Sequence, residues 1–173
     1  MGTKSKIEFE RMYRGHASSI YSYCLRRATT EDAKDATAEV FTVAWRRFGD
    51  VPAGAETLPW LYGVARNVLR DKNRAANRRE RLAAKVASHR QPSVPSPELQ
   101  VVRHSEHEQV LAALDKLPEQ DRETILLVEW EGLSRDEVAD MMFVSRAAID
   151  KRFARSYRKM ARSLGIKKSS LAA

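Results

Sequence analysis

The sequence predicts an all-α protein made of two small helical domains joined by a proline-rich linker, the second being a helix-turn-helix domain. Apolar residues recur at three- and four-residue spacing on both sides of the linker, as they do on the buried face of a helix. The alternation typical of β-strands is missing, and only seven of the 173 residues are glycine. Three prolines interrupt the apolar period between positions 88 and 100. We therefore predict domains at 1–85 and 105–173, with a linker at 86–104.

Composition limits the possible partners and location of the chain. A net charge of +8 favours an anionic partner such as nucleic acid or an acidic membrane surface. The single cysteine, Cys24, excludes an internal disulfide and suits a reducing compartment. No apolar run approaches the ~20 residues of a membrane span, and residues 1–13 lack the apolar segment of a signal peptide. We expect a cytoplasmic protein without membrane insertion.

The charge is unevenly distributed along the chain. Residues 1–85 carry a net charge of +7, residues 111–150 carry −6, and residues 151–173 carry +8. A single charged run is usually a solvated face. Two basic blocks separated by an acidic block indicate two anion-binding faces instead of one basic tail.

Two apolar stripes in the first domain predict its core. They consist of Val40, Phe41, Ala44, Trp45 and Phe48, and of Leu61, Val64, Ala65, Val68 and Leu69. Cys24 lies among apolar neighbours and is expected in the same core. Such stripes indicate a helical bundle and do not indicate a function.

The helix predicted after Thr57 begins with aromatic residues and becomes strongly basic. Its outward side carries cations and amides at three- and four-residue steps. Long cations reach phosphates, asparagines can hydrogen-bond base edges, and aromatic rings stack on unpaired bases. We predict that this helix contacts single-stranded DNA through Trp60, Tyr62, Arg66, Asn67, Arg70, Asn73, Arg74 and Asn77. Of the two rings, we expect Tyr62 to be exposed and Trp60 to be buried.

Proline, glycine and serine divide residues 117–160 into three helices. Pro118 stands near the start of the first, and Gly132 ends it. Ser134 has the spacing of a capping box for the second helix, and Ser145 caps the third. The short turn between the last two has helix-turn-helix length.

The helix-turn-helix unit has a predicted interior and a predicted DNA face. The apolar spacing assigns the interior to Val138, Ala139, Met142, Val144 and Ile149. The third helix presents a largely basic surface that suits the major groove. The candidate DNA contacts are Ser145, Arg146, Ala147, Asp150, Lys151, Arg155 and Arg158.

These motifs, in this order, resemble those of extracytoplasmic-function (ECF) sigma factors, the two-domain initiation subunits of bacterial transcription. "DAKDATAEVFTVAWRRF" resembles the family's helix for core polymerase, and "LPWLYGVARNVLRDKNRA" resembles its downstream-promoter helix. "ALDKLPEQDRETILLVEWEGLSRDEVADMMFVS" resembles the second domain. The likeness covers nearly all of residues 9–162. It implies a non-enzymatic factor with core RNA polymerase and promoter DNA as partners and no cofactor, of a kind commonly held by an anti-sigma factor.

The resemblance also implies roles for particular residues. Asp35 and Glu39 would face the clamp helices of the largest polymerase subunit, and Arg46 would join them in binding the core. The loop 48–59 and the following helix would recognise and open the downstream (−10) element. The third helix of the second domain would recognise the upstream (−35) element.

Three residues depart from the family pattern. Ala38 stands where a polar contact residue is common. Phe143 replaces the glycine usual in the turn, and because a bulky residue at positive φ is costly, we expect a turn of different shape. Asp150 places a negative charge on the DNA face, where it either accepts a hydrogen bond from cytosine or pairs with Arg146.

Two other classes of function remain as alternatives. A helix-turn-helix regulator that acts without polymerase explains residues 111–162 but leaves the helices at 35–48 and 60–81 without a role. His104 and His107 lie one turn apart and could hold a metal, but no third ligand has a clear spacing. Because no catalytic motif is present either, we expect neither a metal site nor an enzyme.

Overall fold

The computed structural model describes residues 3–86 and 105–165, and every regular element in these ranges is helical. The chain divides into two compact units, Met1–Leu99 and Gln100–Ala173. The predicted all-α class is confirmed. The linker predicted at 86–104 lies, except for its first residue, outside the described residues, so the domain boundaries stay predictions.

The first unit is a bundle of three helices that all contact one another. They are α1 (Thr3–Leu25), α2 (Thr30–Arg46) and α3 (Thr57–Val86). Two short 3-10 turns, Phe48–Asp50 and Gly54–Glu56, lead from α2 to α3.

Local interactions define the start of α2 and the head of α3. The Thr29 side chain accepts a hydrogen bond from the Asp32 N–H and so caps α2. Glu31 and Asp32 lie in its first turn, where negative charge is favourable. The Thr57 hydroxyl donates to the Pro52 carbonyl at 2.8 Å and ties the connecting loop to the start of α3.

The core of the first unit lies between the facing sides of the three helices. Alanines on α2 allow close approach of its neighbours. The buried residues are Ile20, Tyr23, Cys24, Ala33, Ala36, Val40, Phe41, Ala44, Leu61, Tyr62, Ala65, Val68 and Leu69. The predicted core position of Cys24 is confirmed.

Two aromatic residues of the predicted stripe lie at the edge of this core. Trp45 is 36% exposed, and Phe48 is half-buried. Both rings pack edge-on against Phe9 of α1, with centroids 4.8 and 5.8 Å away. The prediction that Trp45 is a core residue is wrong, because α1 covers only one side of its indole.

The second unit contains α4 (Ser105–Asp115), α5 (Glu119–Ile125), α6 (Arg135–Met142) and α7 (Arg146–Ser163). A π-helical turn, Leu126–Trp130, continues α5. The ends of three of these helices were predicted from the sequence, whereas those of α4 and the π-helical turn were not.

The predicted punctuation of this unit is confirmed. Pro118 occupies the N-cap of α5, and Gly132 takes a left-handed φ of 69° after the π-helical turn. Ser134 and Glu137 form both hydrogen bonds of the capping box. The Ser145 side chain accepts from the Ala148 N–H and caps α7.

Two groups of residues form the interior of the second unit. Val138, Ala139, Met142 and Ile149 are buried between α6 and α7 as predicted, and Val144 is half-buried. A second cluster joins α4, α5, the π-helical turn and α7. It consists of Leu114, Leu117, Ile125, Leu126 and Phe153.

Phe143 forms the turn between α6 and α7. It adopts φ 55° and ψ 44°, and its side chain is 85% exposed. Its N–H and that of Val144 donate to the carbonyls of Asp140 and Ala139, which close the end of α6. Phenylalanine thus occupies the left-handed conformation that favours glycine, and the unfavourable conformation is retained instead of being relieved by a different turn.

Candidate nucleic-acid and partner-binding surfaces

One stripe of α2 faces solvent and carries the three residues predicted to bind the polymerase. Asp35, Glu39 and Arg46 are all exposed and lie opposite the buried Ala33 and Ala44. Within residues 3–86, Asp35 and Glu39 form no ion pair that would occupy their carboxylates. Both acidic groups are therefore available to a partner.

A shallow groove runs beside this stripe, between α1 and α2. Its volume is about 370 Å³. It is lined by Tyr13, Ala17, Ser18, Tyr21, Lys34, Thr37 and Ala38. Ala38 lies at the groove as an exposed methyl group. Ala38 was identified from the sequence as a departure from the family pattern, but the groove was not predicted.

The basic face of α3 lies opposite its buried face, as the periodicity predicts. Leu61, Ala65 and Val68 are buried. Arg66 and Asn67 are half-buried, whereas the following turns expose their polar side chains. These exposed residues are Arg70, Asn73, Arg74 and Asn77. The solvent-exposed part of this face is therefore formed by the last four of the eight residues predicted to contact single-stranded DNA.

The predicted exposure of the two aromatic residues at the head of α3 is wrong. Tyr62 is 3% exposed, and its ring centroid lies 5.1 Å from that of Tyr23 on α1. Trp60 is only half-buried. Because α1 and α2 both pack against α3, the buried arc of α3 is wide enough to include Tyr62. Trp60 is consequently the ring that retains a surface for a base.

The exposed side of α7 carries the residues predicted to contact duplex DNA. Ser145, Arg146, Ala147, Lys151, Arg155 and Arg158 are exposed, and Asp150 is half-buried. The structure thus brings the predicted set together on one helix. Some of these side chains are nevertheless engaged in hydrogen bonds within the protein, whereas others are free to bind a partner.

The first engaged group is a network at the start of α7. Asp150 accepts from Arg135 Nη1 at 2.9 Å and from Arg146 Nε at 3.2 Å. Arg146 Nη1 also donates to Asp136 of α6. The hydrogen bond from Arg135, followed by that from Arg146, lowers the pKa of Asp150 below its ordinary value. In the free protein Asp150 therefore pairs with arginines.

The second engaged group lies further along α7. Arg155 donates to both carboxylate oxygens of Asp121 through Nε and Nη2. Arg152, which the sequence analysis did not select, has its Nε 3.7 Å from the same carboxylate and donates to Gln120. The Arg158 Nε donates to a backbone carbonyl of its own helix. Within residues 105–165, Lys151 forms no such bond and remains free for a partner.

Two further properties of the described residues concern membranes and metals. No helix among them is long and apolar enough to cross a membrane. No group of three or more His, Cys, Asp or Glu side chains among them could hold a metal ion. The predicted pair His104 and His107 lies outside the residues whose side chains the structure describes.

Two family models match the chain. The Sigma-70 region 2 model matches residues 12–79, which include α2 and most of α3. The region 4 model of the same family matches residues 107–160, which include the helix-turn-helix unit. A helix-turn-helix regulator that acts without polymerase would leave the first match unexplained, so this alternative is not favoured.

Curated relatives agree with these matches. The chain is 30% identical over 132 residues to the RNA polymerase sigma factor NccH of Alcaligenes xylosoxydans xylosoxydans, covering 75% of this chain and 71% of NccH. It is 34% identical over 128 residues to the probable RNA polymerase sigma factor RfaY of Xanthomonas campestris pv. campestris. That alignment covers 72% of this chain but only 32% of RfaY. It is 27% identical over 166 residues to the ECF RNA polymerase sigma factor SigM of Mycobacterium tuberculosis, covering 92% of this chain and 79% of SigM.

A solved structure supports the fold. The sigma factor RpoE from Bartonella quintana, determined in complex with the anti-sigma factor NepR, matches with a TM-score of 0.71. The match covers 93% of this chain and 99% of the RpoE chain at 17% sequence identity. The chain belongs to the ECF group of the sigma-70 family of RNA polymerase sigma factors.

Proposed function

We propose that this sigma factor divides its work among three helices. The acidic stripe of α2 binds core RNA polymerase, α3 binds and helps to open the downstream promoter element, and α7 recognises the upstream element. The observation that supports this division is the presence of a solvent-exposed basic face on each of two units, each matched by a different sigma-70 region.

The contact with core polymerase is assigned to Asp35, Glu39 and Arg46. All three are exposed on one side of α2 while the opposite side is buried. The two carboxylates have no ion-pair partner in the described part of the first unit, so a basic surface of the polymerase can pair with them without breaking an existing bond. Ala38 leaves the adjacent groove open to a larger side chain from the partner.

The opening of DNA is assigned to α3 and the loop before it. Strand separation exposes base faces while each nucleotide keeps its phosphate. Arg70 and Arg74 can hold the phosphates, and Asn73 can hydrogen-bond base edges. The half-buried Trp60, at the head of the helix, offers a partial ring surface for one unstacked base. The loop is held next to this point by the bond from Thr57 to Pro52.

The upstream element is assigned to the N-terminal half of α7. In a helix-turn-helix protein the first turns of the second helix contact base edges in the major groove. Arg146 and Lys151 lie on these turns. Arg158, two turns further on, is positioned for a phosphate contact that carries no sequence information. The ammonium group of Lys151, which has no side-chain partner within residues 105–165, requires no rearrangement before it binds DNA.

We also propose that the factor acts in the cytoplasm, uses no cofactor and is not itself an enzyme. The structurally similar RpoE was solved with an anti-sigma factor, and we propose that an anti-sigma factor likewise restrains this chain. No catalytic or metal role is needed to explain any of the three surfaces.

Transcription in vitro with core polymerase tests the proposal. We expect core bound to this chain to initiate at a small set of promoters that share two elements, as mapped by sequencing the RNA 5′ ends. Capture of core polymerase by the chain in the absence of DNA distinguishes a sigma factor from a regulator that binds duplex alone. Capture of duplex without capture of core polymerase would overturn the proposal.

A further inference from the structure

The guanidinium of Arg146 is shared by two carboxylates. Its Nε donates to both oxygens of Asp150 at 3.2 Å, and its Nη1 donates to Asp136. Asp150 lies one turn further along α7, whereas Asp136 belongs to α6. The two acidic groups thus occupy different edges of the same planar cation.

The two carboxylates differ in how firmly they are held. Asp150 is 41% exposed and accepts a second bond from Arg135, whose guanidinium carbon lies 4.4 Å from the centre of the Phe153 ring. Asp136 is 70% exposed, and within residues 105–165 its carboxylate pairs with Arg146 alone. Exposed ion pairs of this second kind are weak. Asp136 is therefore the carboxylate that an incoming ligand can displace without disturbing the bond between Arg135 and Asp150.

We propose that Asp150 positions Arg146 for the recognition of guanine and that Asp136 occupies the terminal nitrogen Nη1 of Arg146 until DNA replaces it. This inference rests on the proposed role of α7 at the upstream element. With Nε held by Asp150, the two terminal nitrogens Nη1 and Nη2 become available as a pair of donors once Asp136 leaves. Guanine offers two acceptors, O6 and N7, which match this pair.

The arrangement also explains discrimination against adenine. Adenine presents one acceptor and one donor on the same edge, so a pair of fixed donors leaves one N–H group facing another. A freely rotating arginine could turn to avoid this clash. The bond that Arg146 donates to Asp150 restricts that rotation, so Asp150 is a positioning residue for specificity and does not itself contact the base.

The test measures the binding of polymerase, reconstituted with the full-length sigma factor, to duplexes in which each base pair of the upstream element is varied. For the unaltered protein we expect at least one position where replacing guanine by adenine weakens binding roughly tenfold or more, the range of a bidentate base contact. Arg146→Ala should abolish that preference, which identifies the position.

Two substitutions of Asp150 separate position from charge. Asp150→Glu keeps the charge but moves the carboxylate by one methylene, so the guanine preference should fall severalfold while the salt dependence of binding stays unchanged. Asp150→Asn should lower the same preference and raise binding to all duplexes. In the Arg146→Ala background neither change should alter the preference further. Asp140→Asn, an exposed carboxylate of α6, is the matched charge control and should leave the preference intact.

Asp136→Asn tests the displaceable partner. It should strengthen binding to all duplexes severalfold without changing the base preference. A guanine preference that survives both Asp150 substitutions in folded protein would overturn the inference. The inference would also be overturned if Arg146→Ala had no effect while Lys151→Ala changed the base preference. In that case α7 would remain the upstream helix. If neither Arg146→Ala nor Lys151→Ala loses the base preference, the proposed role of α7 is rejected instead.

Discussion

Arg155 and Asp121, which are 34 residues apart in the sequence, form a charge-assisted pair with Arg155 Nη2 2.7 Å from Asp121 Oδ1. The Asp121 side chain is 6% exposed and that of Arg155 is 64% exposed. The hydrogen bond that Arg155 donates to this aspartate raises the pKa of Arg155. Because the pair joins α5 to α7, Arg155 supports the placement of the helix that is proposed to bind DNA.

Replacing the buried carboxylate should weaken the second unit. Asp121→Asn leaves the Arg155 fork without its two charged acceptors, and we expect a loss of about 1–3 kcal/mol in the free energy of unfolding, measured in urea. Glu129→Gln, at an exposed position, is the control and should change little. Equal effects of the two substitutions would contradict the role assigned to Asp121. Lys151→Ala should weaken duplex binding without this loss of stability.

The acidic stripe of α2 should be required for polymerase binding. Reversing both charges in Asp35→Lys with Glu39→Lys is expected to abolish capture of core polymerase, because a basic partner surface would be repelled. Helical content, measured by circular dichroism, should be unchanged since both residues are exposed. The double reversal Glu8→Lys with Glu10→Lys on α1 alters net charge equally and should retain capture. Normal capture by the α2 variant would reject the assignment.

The basic face of α3 should act after polymerase binding. Arg70→Ala with Arg74→Ala removes two phosphate contacts, so open-complex formation should fall while core binding persists. Permanganate reactivity of unpaired thymines measures the opening. A premelted bubble template should restore part of the activity, because strand separation is then no longer needed. Arg11→Ala with Arg14→Ala on α1 serves as the control. If permanganate reactivity were unchanged in the α3 variant, the basic face of α3 would have no role in DNA opening and would be a solvated surface only.

The turn residue Phe143 should limit stability. A left-handed conformation costs an ordinary residue roughly 1–2 kcal/mol, and glycine avoids this at an entropic cost of about 0.5–1 kcal/mol. Since the side chain is 85% exposed, little burial is lost on removing it. Phe143→Gly should therefore stabilise the protein by about 0.5–1 kcal/mol in urea unfolding, and Phe143→Val should destabilise it. A destabilising glycine would show that the ring makes a stabilising contact.

Acid should release the network around Asp150. Its pKa is lowered by Arg135 and then by Arg146, so its contribution to stability is fully present above 3.8, the ordinary value, and is lost as the pH falls through the lower folded value. The urea midpoint of the unaltered protein should thus drop more steeply below pH 3.8 than that of Asp150→Asn. Asp140→Asn should follow the unaltered protein. Parallel curves for all three proteins would contradict the pairing.

The helices and their ends were predictable because the interactions that define them are local. The capping bonds of Ser134 and Ser145 reach three residues along the chain. The exposure of Asp35 and Glu39 followed from their position on the side of the helix away from Phe41. Such three- and four-residue relationships are present in the sequence before any helix packs.

The width of a buried face was not predictable in the same way. The periodicity of α3 shows which residues share a side, but the neighbouring helices determine how much of its circumference they cover. Tyr62 is buried because α1 supplies Tyr23 beside it, and Trp45 stays partly exposed because α1 covers one side only. Neither neighbour is close to these residues in the sequence.

The availability of the cations on α7 depended on packing most of all. The sequence assigned Arg146, Lys151 and Arg155 to the exposed surface of one helix, with equal standing as DNA contacts. Helix packing brings Asp136 and Asp121 within hydrogen-bond distance of the two arginines and leaves the lysine without such a partner in the described residues. An ion pair requires two groups within about 4 Å, and the acceptors here lie 10 and 34 residues away along the chain. Only the folded arrangement of α5, α6 and α7 provides that proximity.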